Sequence, residues 1–263
     1  MNGHQEPNAK RAMADTTRPT ITLYTAATPN GIKISIALEV LGLPYKVHHL
    51  DLSTNAQKDS WFLEINPNGR IPVITDTLSD GSPIRVFESG SILLYLAERY
   101  DTGLKISYQS GSPEYFETIS WVFWQNAGLG PMQGQANHFR RYAPEKERLG
   151  YSLNRYQAET RRLYGVLGAH LGRKKSPFLV GDKATIADFS VLSWTLFADW
   201  AGVDIDEFPL VKSWEERVCT VPGVINGTEV PKPTLNLRHM SAGQREEYAR
   251  KASSWIVQDA DKQ

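Results

Sequence analysis

The apolar positions of the chain first form a short run, Ile21 and Leu23 with Thr22 and Tyr24 between and after them. Beyond Thr28-Pro29-Asn30-Gly31 they resume as Ile32, Ile34, Ile36, Ala37, Leu38, Val40 and Leu41, set among Lys33, Ser35 and Glu39. This pattern predicts a strand, a tight turn and a partly buried helix. Gly42-Leu43-Pro44 breaks the helix, and residues 45–50 predict a second strand. A strand–helix–strand unit of this length carries parallel strands. Residues 59–65 predict a short helix closed by Asn66-Pro67-Asn68-Gly69. A strand follows over 70–76, then a turn over 77–83 with Asp80-Gly81 at its tip, then an antiparallel return over 84–87. Glu88-Ser89-Gly90 opens a helix whose apolar positions are Ile92, Leu93, Tyr95, Leu96 and Tyr100. The first unit is thus βαβ followed by ββα, ending near residue 100.

The pattern then changes. Residues 102–113 are rich in Gly and Ser and read as a linker. Strand signals fade after it. Residues 113–126 are helical and aromatic, with Tyr115, Phe116, Trp121, Phe123 and Trp124, and a Gly-rich stretch over 128–134 is expected to interrupt or kink that helix. Further helices are predicted over 144–171, from Thr185, over 210–218 and near 244–257. Thr185 and Asp188 carry the spacing of a capping box, with Thr185 as N-cap, and are read as structural. The expected organisation is α/β plus all-α: a leader over 1–19 read as disordered, a first domain over 20–101, a linker over 102–112, an all-helical domain over 113–225 and a C-terminal extension over 226–263 with one helix.

Charge narrows the class. Lys plus Arg and Asp plus Glu are equal at 29, so no nucleic-acid or polyanion partner is expected. The single cysteine, Cys219, excludes an internal disulfide framework and a Cys-rich metal site, fits a reducing compartment, and is read as a buried small residue. No apolar run approaches the ~18 residues of a membrane span, and the first 20 residues lack the apolar core of a secretory signal.

The residues alone leave roles open. Asn30 is a favoured N-cap type, and the helix end it would cap can also present N–H groups to a small anion such as a thiolate. Glu88 and Ser89 fit a first-turn acid and a cap, or an ammonium and a carboxylate held at a helix start. Tyr24 lies in a strand and reads as core. Arg155 has Glu159 four residues on, the spacing of a solvated ion pair.

The whole order resembles the cytosolic glutathione transferases over roughly residues 20–222. It is closest to the bacterial Nu-class and fungal nitrogen-catabolite-regulator-like subclass with disulfide-reductase activity. The carrying stretches are 28–33, the Ile71-Pro72 strand, 87–98, 123–132, 155–160 and the Thr185/Asp188 box. The resemblance implies a thioredoxin-like N-terminal domain with an all-helical C-terminal domain, in a cytoplasmic homodimer. It implies glutathione as co-substrate, in one or two molecules or oxidised, with no metal, and a small electrophile or disulfide as second substrate. It places Thr28 and Asn30 beside the sulfur, with Asn30 as a donor that stabilises the thiolate without acting as base. It assigns the glutamyl end to Glu88 and Ser89 and the cysteinyl part to Ile71, before a cis Pro72. Arg70 and Gln57 fall near the glycyl end, although the polar surroundings of Gln57 fit a solvated side chain equally. Arg155 would stand over the sulfur or a second glutathione. No Cys stands at the turn, which argues against a mixed disulfide with the protein. The alternatives from other classes are a non-enzymatic regulator on the same fold, disfavoured by a leader without Asn/Gln-rich sequence, and a carrier of apolar ligands.

Overall fold

The computed structural model describes residues 19–144, 150–173, 176–233 and 240–256. The leader expected over 1–19 lies outside these residues except for its last position, as do residues 145–149 of the helix expected over 144–171. In the first domain the order is β1 (Thr22–Thr25), α1 (Pro29–Leu41), β2 (Lys46–His49), α2 (Ser60–Ile65), β3 (Val73–Thr77), β4 (Pro83–Phe87) and α3 (Ser89–Tyr100). The sheet runs β2-β1-β3-β4. β1 pairs parallel with β2, placing Leu23 opposite Val47, and antiparallel with β3, placing Leu23 opposite Ile74. Leu23 and Ile74 are fully buried with Ile32, Ile36, Ile92 and Leu93 from α1 and α3. Period-2 strands and apolar helices therefore close one core, as the sequence pattern requires.

Two boundaries differ from the sequence reading, and both bear on the site. β3 begins at Val73, so Arg70, Ile71 and Pro72 stay outside the ladder. Pro72 has no N–H to give a ladder, and the Ile71-Pro72 bond is cis. The cap of α1 is Thr28, not Asn30: Thr28 is extended, and its hydroxyl accepts the Gly31 N–H at 3.1 Å. Pro29 takes the first helical position, where no N–H is needed. Asn30 thereby falls inside the first turn with its carboxamide released for other work. Gly31 is required beneath it, because a Cβ there would lie 2.4 Å from both the Ala26 carbonyl and Thr25 Oγ1.

The second half is helical: α4 (Pro113–Trp124), α5 (Gly130–Asn137), α6 (Tyr151–Arg173), α7 (Ile186–Thr195), α8 (Pro209–Cys219), α9 (Val224–Thr228) and α10 (Ala242–Ile256). The Gly-rich stretch does not interrupt its helix. The chain stays helical from α4 into α5 through a π turn, Gln125–Leu129, and leaves α5 through another, His138–Tyr142. Pro131 cannot donate to the helical ladder, and the widened turn stands just before it. The Thr185–Asp188 box forms as expected: Thr185 N–H donates to Asp188 Oδ2 at 2.9 Å, and the Thr185 hydroxyl accepts from Ala187 N–H at 3.2 Å. Asp188 also accepts from Trp214 Nε1 and Leu179 N–H, both at 2.9 Å, which locks α8 and the preceding loop onto α7.

The halves are tied together at several points. Asp101 holds Lys105 N–H, Ile106 N–H and the Ser107 hydroxyl, and the Ile106 carbonyl accepts from Ile186 N–H at 3.0 Å. The boundary expected at residue 225 falls inside α9. That turn packs on α1, with Ser35 Oγ donating to the Gly227 carbonyl at 2.6 Å. α10 lies against the second π turn, where Tyr248 meets Trp200 edge-on and Arg245 pairs with Asp199 at 2.6 Å. No helix among the described residues is long and apolar enough to cross a membrane.

Candidate functional site

The N-terminal ends of α1 and α3 point into one cleft, walled on the far side by the π turn after α4, by α5 and by α7. Three neighbouring cavities that share Asn30 in their walls fill it, of about 620, 300 and 280 Å³. The smallest is lined by Asn30, Arg70, Ile71, Pro72, Glu88 and Ser89. The largest adds Thr28 and Gln57. Eight of the nine site residues expected from sequence thus share one cleft.

Each is held by local structure. Asn30 lines all three cavities, and its Oδ1 accepts from Trp194 Nε1, on α7, at 3.3 Å. An indole nitrogen only donates, so this bond fixes the carboxamide with its oxygen toward Trp194 and leaves its N–H₂ as a donor. Glu88 immediately precedes α3 at φ 67°, a region that non-glycine residues rarely occupy and that concentrates at functional sites. Its carboxylate accepts from Asn68 Nδ2 at 3.4 Å. Gln57 is buried rather than solvated: it stands in a short 3-10 turn, Ala56–Lys58, and its Oε1 has no partner. A buried orphan acceptor in the wall of the cleft fits a ligand that brings a donor.

Arg155 does not join this cleft. It lies on α6 with its side chain 53% exposed, 3.7 Å from Glu159, and lines none of the cavities. The pair has the i,i+4 spacing of a solvated helix-surface ion pair. Tyr24 packs with Trp61 and Phe62 beside the small cluster of Leu50, Phe62 and Val73. Cys219, half-buried at the end of α8, is in no disulfide.

Beneath Ser89 lies a polar network that the sequence reading did not assign. Lys33 is completely buried, and its Nζ donates to Ser89 Oγ at 3.0 Å and to Gln125 Oε1 at 2.5 Å. Ser89 Oγ donates to Asn126 Oδ1 at 3.1 Å, and Asn126 Nδ2 donates to the Val122 carbonyl at 2.8 Å. Ser190 on α7 donates to the same Gln125 oxygen at 2.7 Å. Burial lowers the Lys33 ammonium to about 7, against the opposing pull of Glu88. The π turn brings Gln125 and Asn126 to bear on the first domain, a placement in keeping with the tendency of such turns to mark functional sites. Trp194 and His138, in the walls of the largest cavity, are likewise unassigned by sequence. Lys33, Gln125 and Asn126 lie within the stretches that carry the resemblance, and that was their only signal.

Past Thr28 and Pro29 a further cavity of about 390 Å³ opens, with Tyr142, Phe197, Trp200 and Tyr248 in its walls. α10 closes one side of it. Among the described residues no group of His, Cys, Asp or Glu has the arrangement of a metal site.

Comparison with known proteins gives the family of the chain. Residues 19–98 match the family model for the glutathione S-transferase N-terminal domain, and residues 137–222 that for the C-terminal domain. The disulfide-bond oxidoreductase YfcG of Escherichia coli is 43% identical over 204 residues, 77% of this chain and 91% of that protein. A glutathione transferase homologue from Lodderomyces elongisporus, solved with two glutathione molecules per subunit, superposes with a TM-score of 0.76 at 46% identity, over 81% of this chain and 99% of that one. The transferase URE2P6 of Phanerochaete chrysosporium, solved with oxidised glutathione, gives 0.74 at 36% identity, over 80% of this chain and 96% of that one.

Proposed function

The chain belongs to the glutathione S-transferase family, and from that premise we propose that it is a glutathione-dependent disulfide reductase that also conjugates glutathione to small electrophiles. The observation that carries the reading is the Asn30 carboxamide, held by Trp194 with its N–H₂ group free at the start of α1. A thiol ionises more readily where a helix N-terminus and a hydrogen-bond donor face the sulfur. Asn30 cannot accept the proton, so it lowers the energy of the thiolate and leaves the proton to solvent.

Glutathione lies along the cleft with its glutamyl end at Glu88 and Ser89. Its cysteinyl backbone meets Ile71 in strand fashion, and its glycyl end lies near Arg70 and Gln57. The orphan oxygen of Gln57 and the Ile71 backbone, outside the β3 ladder, fit such a ligand. The thiolate attacks one sulfur of a disulfide, forming a mixed disulfide with glutathione and releasing one thiolate. A second glutathione attacks the glutathione sulfur of that intermediate, giving oxidised glutathione and the second thiolate. Both electrons come from glutathione, and the protein supplies position and electrostatics. The cavity bounded by Tyr142, Trp200 and Tyr248 takes an apolar electrophile within reach of Thr28.

The protein works as a homodimer in a reducing cytoplasm. Phe116 and Phe123, two turns apart on α4, are 59% and 58% exposed and form an apolar face that a second copy would cover. The test is turnover of hydroxyethyl disulfide by glutathione, run beside conjugation of an aromatic halide. Reduction of the disulfide is expected, and absence of both activities contradicts the reading.

A further inference from the structure

The Glu88 carboxylate and the Lys33 amino group, cationic once protonated, line one cavity with Ser89 at one end of the cleft. That is the complement of an α-amino acid in its zwitterionic form, with an ammonium for Glu88 and a carboxylate for Lys33. The residues on the Lys33 side are short of an acceptor. Once protonated, the amino group has three donors, and Ser89 and Gln125 account for two. Gln125 is completely buried. Its Oε1 takes hydrogen bonds from Lys33 and Ser190, while its Nε2 has no partner. Both residues line the same 300 Å³ cavity beside Glu88 and Ser89. Buried donors are normally paired, so two beside one cavity call for an acceptor that arrives from outside.

Resting on the reading that the cleft takes glutathione, we propose that Lys33, braced by Gln125 of the helical domain, supplies the positive charge for the α-carboxylate of the γ-glutamyl residue and so selects glutathione over thiols without that group. Lys33 sits three residues after Asn30 on α1, so one helix serves both the sulfur end and the glutamyl end of the ligand. The charge that faces Lys33 comes from Glu88, at the start of α3. The π turn presents Gln125 and Asn126, and α7 presents Ser190 and Trp194, all uncharged and none titrating in the working range. With its ammonium lowered to about 7 by burial, Lys33 is held partly neutral near neutral pH. An arriving carboxylate then draws a proton onto it.

The test compares wild type with Lys33→Met in glutathione-dependent reduction of hydroxyethyl disulfide. Three thiols are used: glutathione, γ-aminobutyryl-cysteinylglycine, which lacks the carboxylate, and glutaryl-cysteinylglycine, which lacks the ammonium. Wild type is expected to prefer glutathione over the descarboxy thiol by roughly ten- to a hundredfold in kcat/KM, the usual worth of a hydrogen bond to a charged group. In Lys33→Met that preference should fall to within about threefold, through a higher KM for glutathione. Preference over the glutaryl thiol should remain. A merely structural lysine would lower all three activities together, and retention of the wild-type preference overturns the proposal.

A second measurement needs no variant. Calorimetric titration of the wild-type protein with S-methylglutathione, which has no ionisable thiol, in buffers of different ionisation enthalpy near pH 7.5 should show proton uptake on binding. Binding without uptake at any pH between about 7 and 9 overturns the proposal alone. Failure of the wild-type protein to bind S-methylglutathione overturns it together with the glutathione reading.

Discussion

The indole N–H of Trp194, on α7, donates to the carboxamide oxygen of Asn30, on α1, at 3.3 Å. A residue of the helical domain thereby decides which end of Asn30 faces the cleft. Neither side chain would do so alone, since an Asn amide rotates and its two ends have opposite hydrogen-bonding character.

Trp194→Phe keeps the aromatic wall and removes this bond. The Asn30 carboxamide then turns freely, so kcat for disulfide reduction should fall about five- to tenfold, the effect of a lost hydrogen bond of ~1 kcal/mol. The KM for glutathione should change little, because Glu88, Ser89 and Ile71 stay in place. Steady-state kinetics in glutathione checks this, and a rise in KM alone would place Trp194 in binding.

Gly130→Ala tests the network through its backbone neighbour. A Cβ at residue 130 would lie 2.7 Å from Gln125 Nε2 and 3.2 Å from the Gln125 carbonyl. The amide must shift, and with it the oxygen that holds Lys33. The KM for glutathione should rise several-fold while hydroxyethyl disulfide shows an unchanged KM. Inhibition by S-methylglutathione should weaken in parallel.

Lys33 gives a pH dependence of stability with a definite sign. Its folded value of about 7 lies below the ordinary 10.5, so between those limits the unfolded chain binds more protons. Stability from this group therefore rises as pH increases through that window, by at most about 1.4 kcal/mol per pH unit. Lys33→Met lacks this contribution. The stability of the variant relative to wild type, from urea unfolding between about pH 7 and 9.5, should fall as pH rises. Parallel curves would contradict it.

Cys219→Ser and Arg155→Ala should each leave disulfide reduction within about twofold of wild type. Cys219 closes α8 away from the cavities, and the reacting thiols come from glutathione. Arg155 is a solvated partner of Glu159, a pair worth ~0.3–0.5 kcal/mol. Activity assays with thermal melts settle both, and a tenfold loss in Cys219→Ser would revive a protein-borne thiol.

The first domain was legible because its periodicity changes cleanly between strands and helices, and turn residues stand at each change. The Thr185–Asp188 box was legible for a similar reason, as a local pattern with a local cause. The cap of α1 was misread because Thr28 and Asn30 are both good caps two residues apart. Pro29 settles it, since proline favours the position after the cap. Lys33 looks like a polar break in an apolar helix. Its burial arises from elements far along the chain, the π turn after α4 and the α7 helix, which no local pattern reports. The π turns have no sequence signal of their own, so Gln125 and Asn126 could be noticed only as part of a resemblance. Arg155 was placed by resemblance, and among the described residues it pairs with Glu159 outside the lining of the cleft.

Catalysis turns on whether the protein makes the bound sulfur anionic. The direct measurement is the ultraviolet absorbance of the glutathione thiolate, titrated with pH in the complex with wild type and with Asn30→Ala. A free thiol ionises near ~8.5. In wild type the transition should lie at least one unit lower, and in Asn30→Ala it should return most of the way toward the free value, with both proteins still binding glutathione. A wild-type transition at the free-thiol value, or two superimposed titrations, would contradict the account.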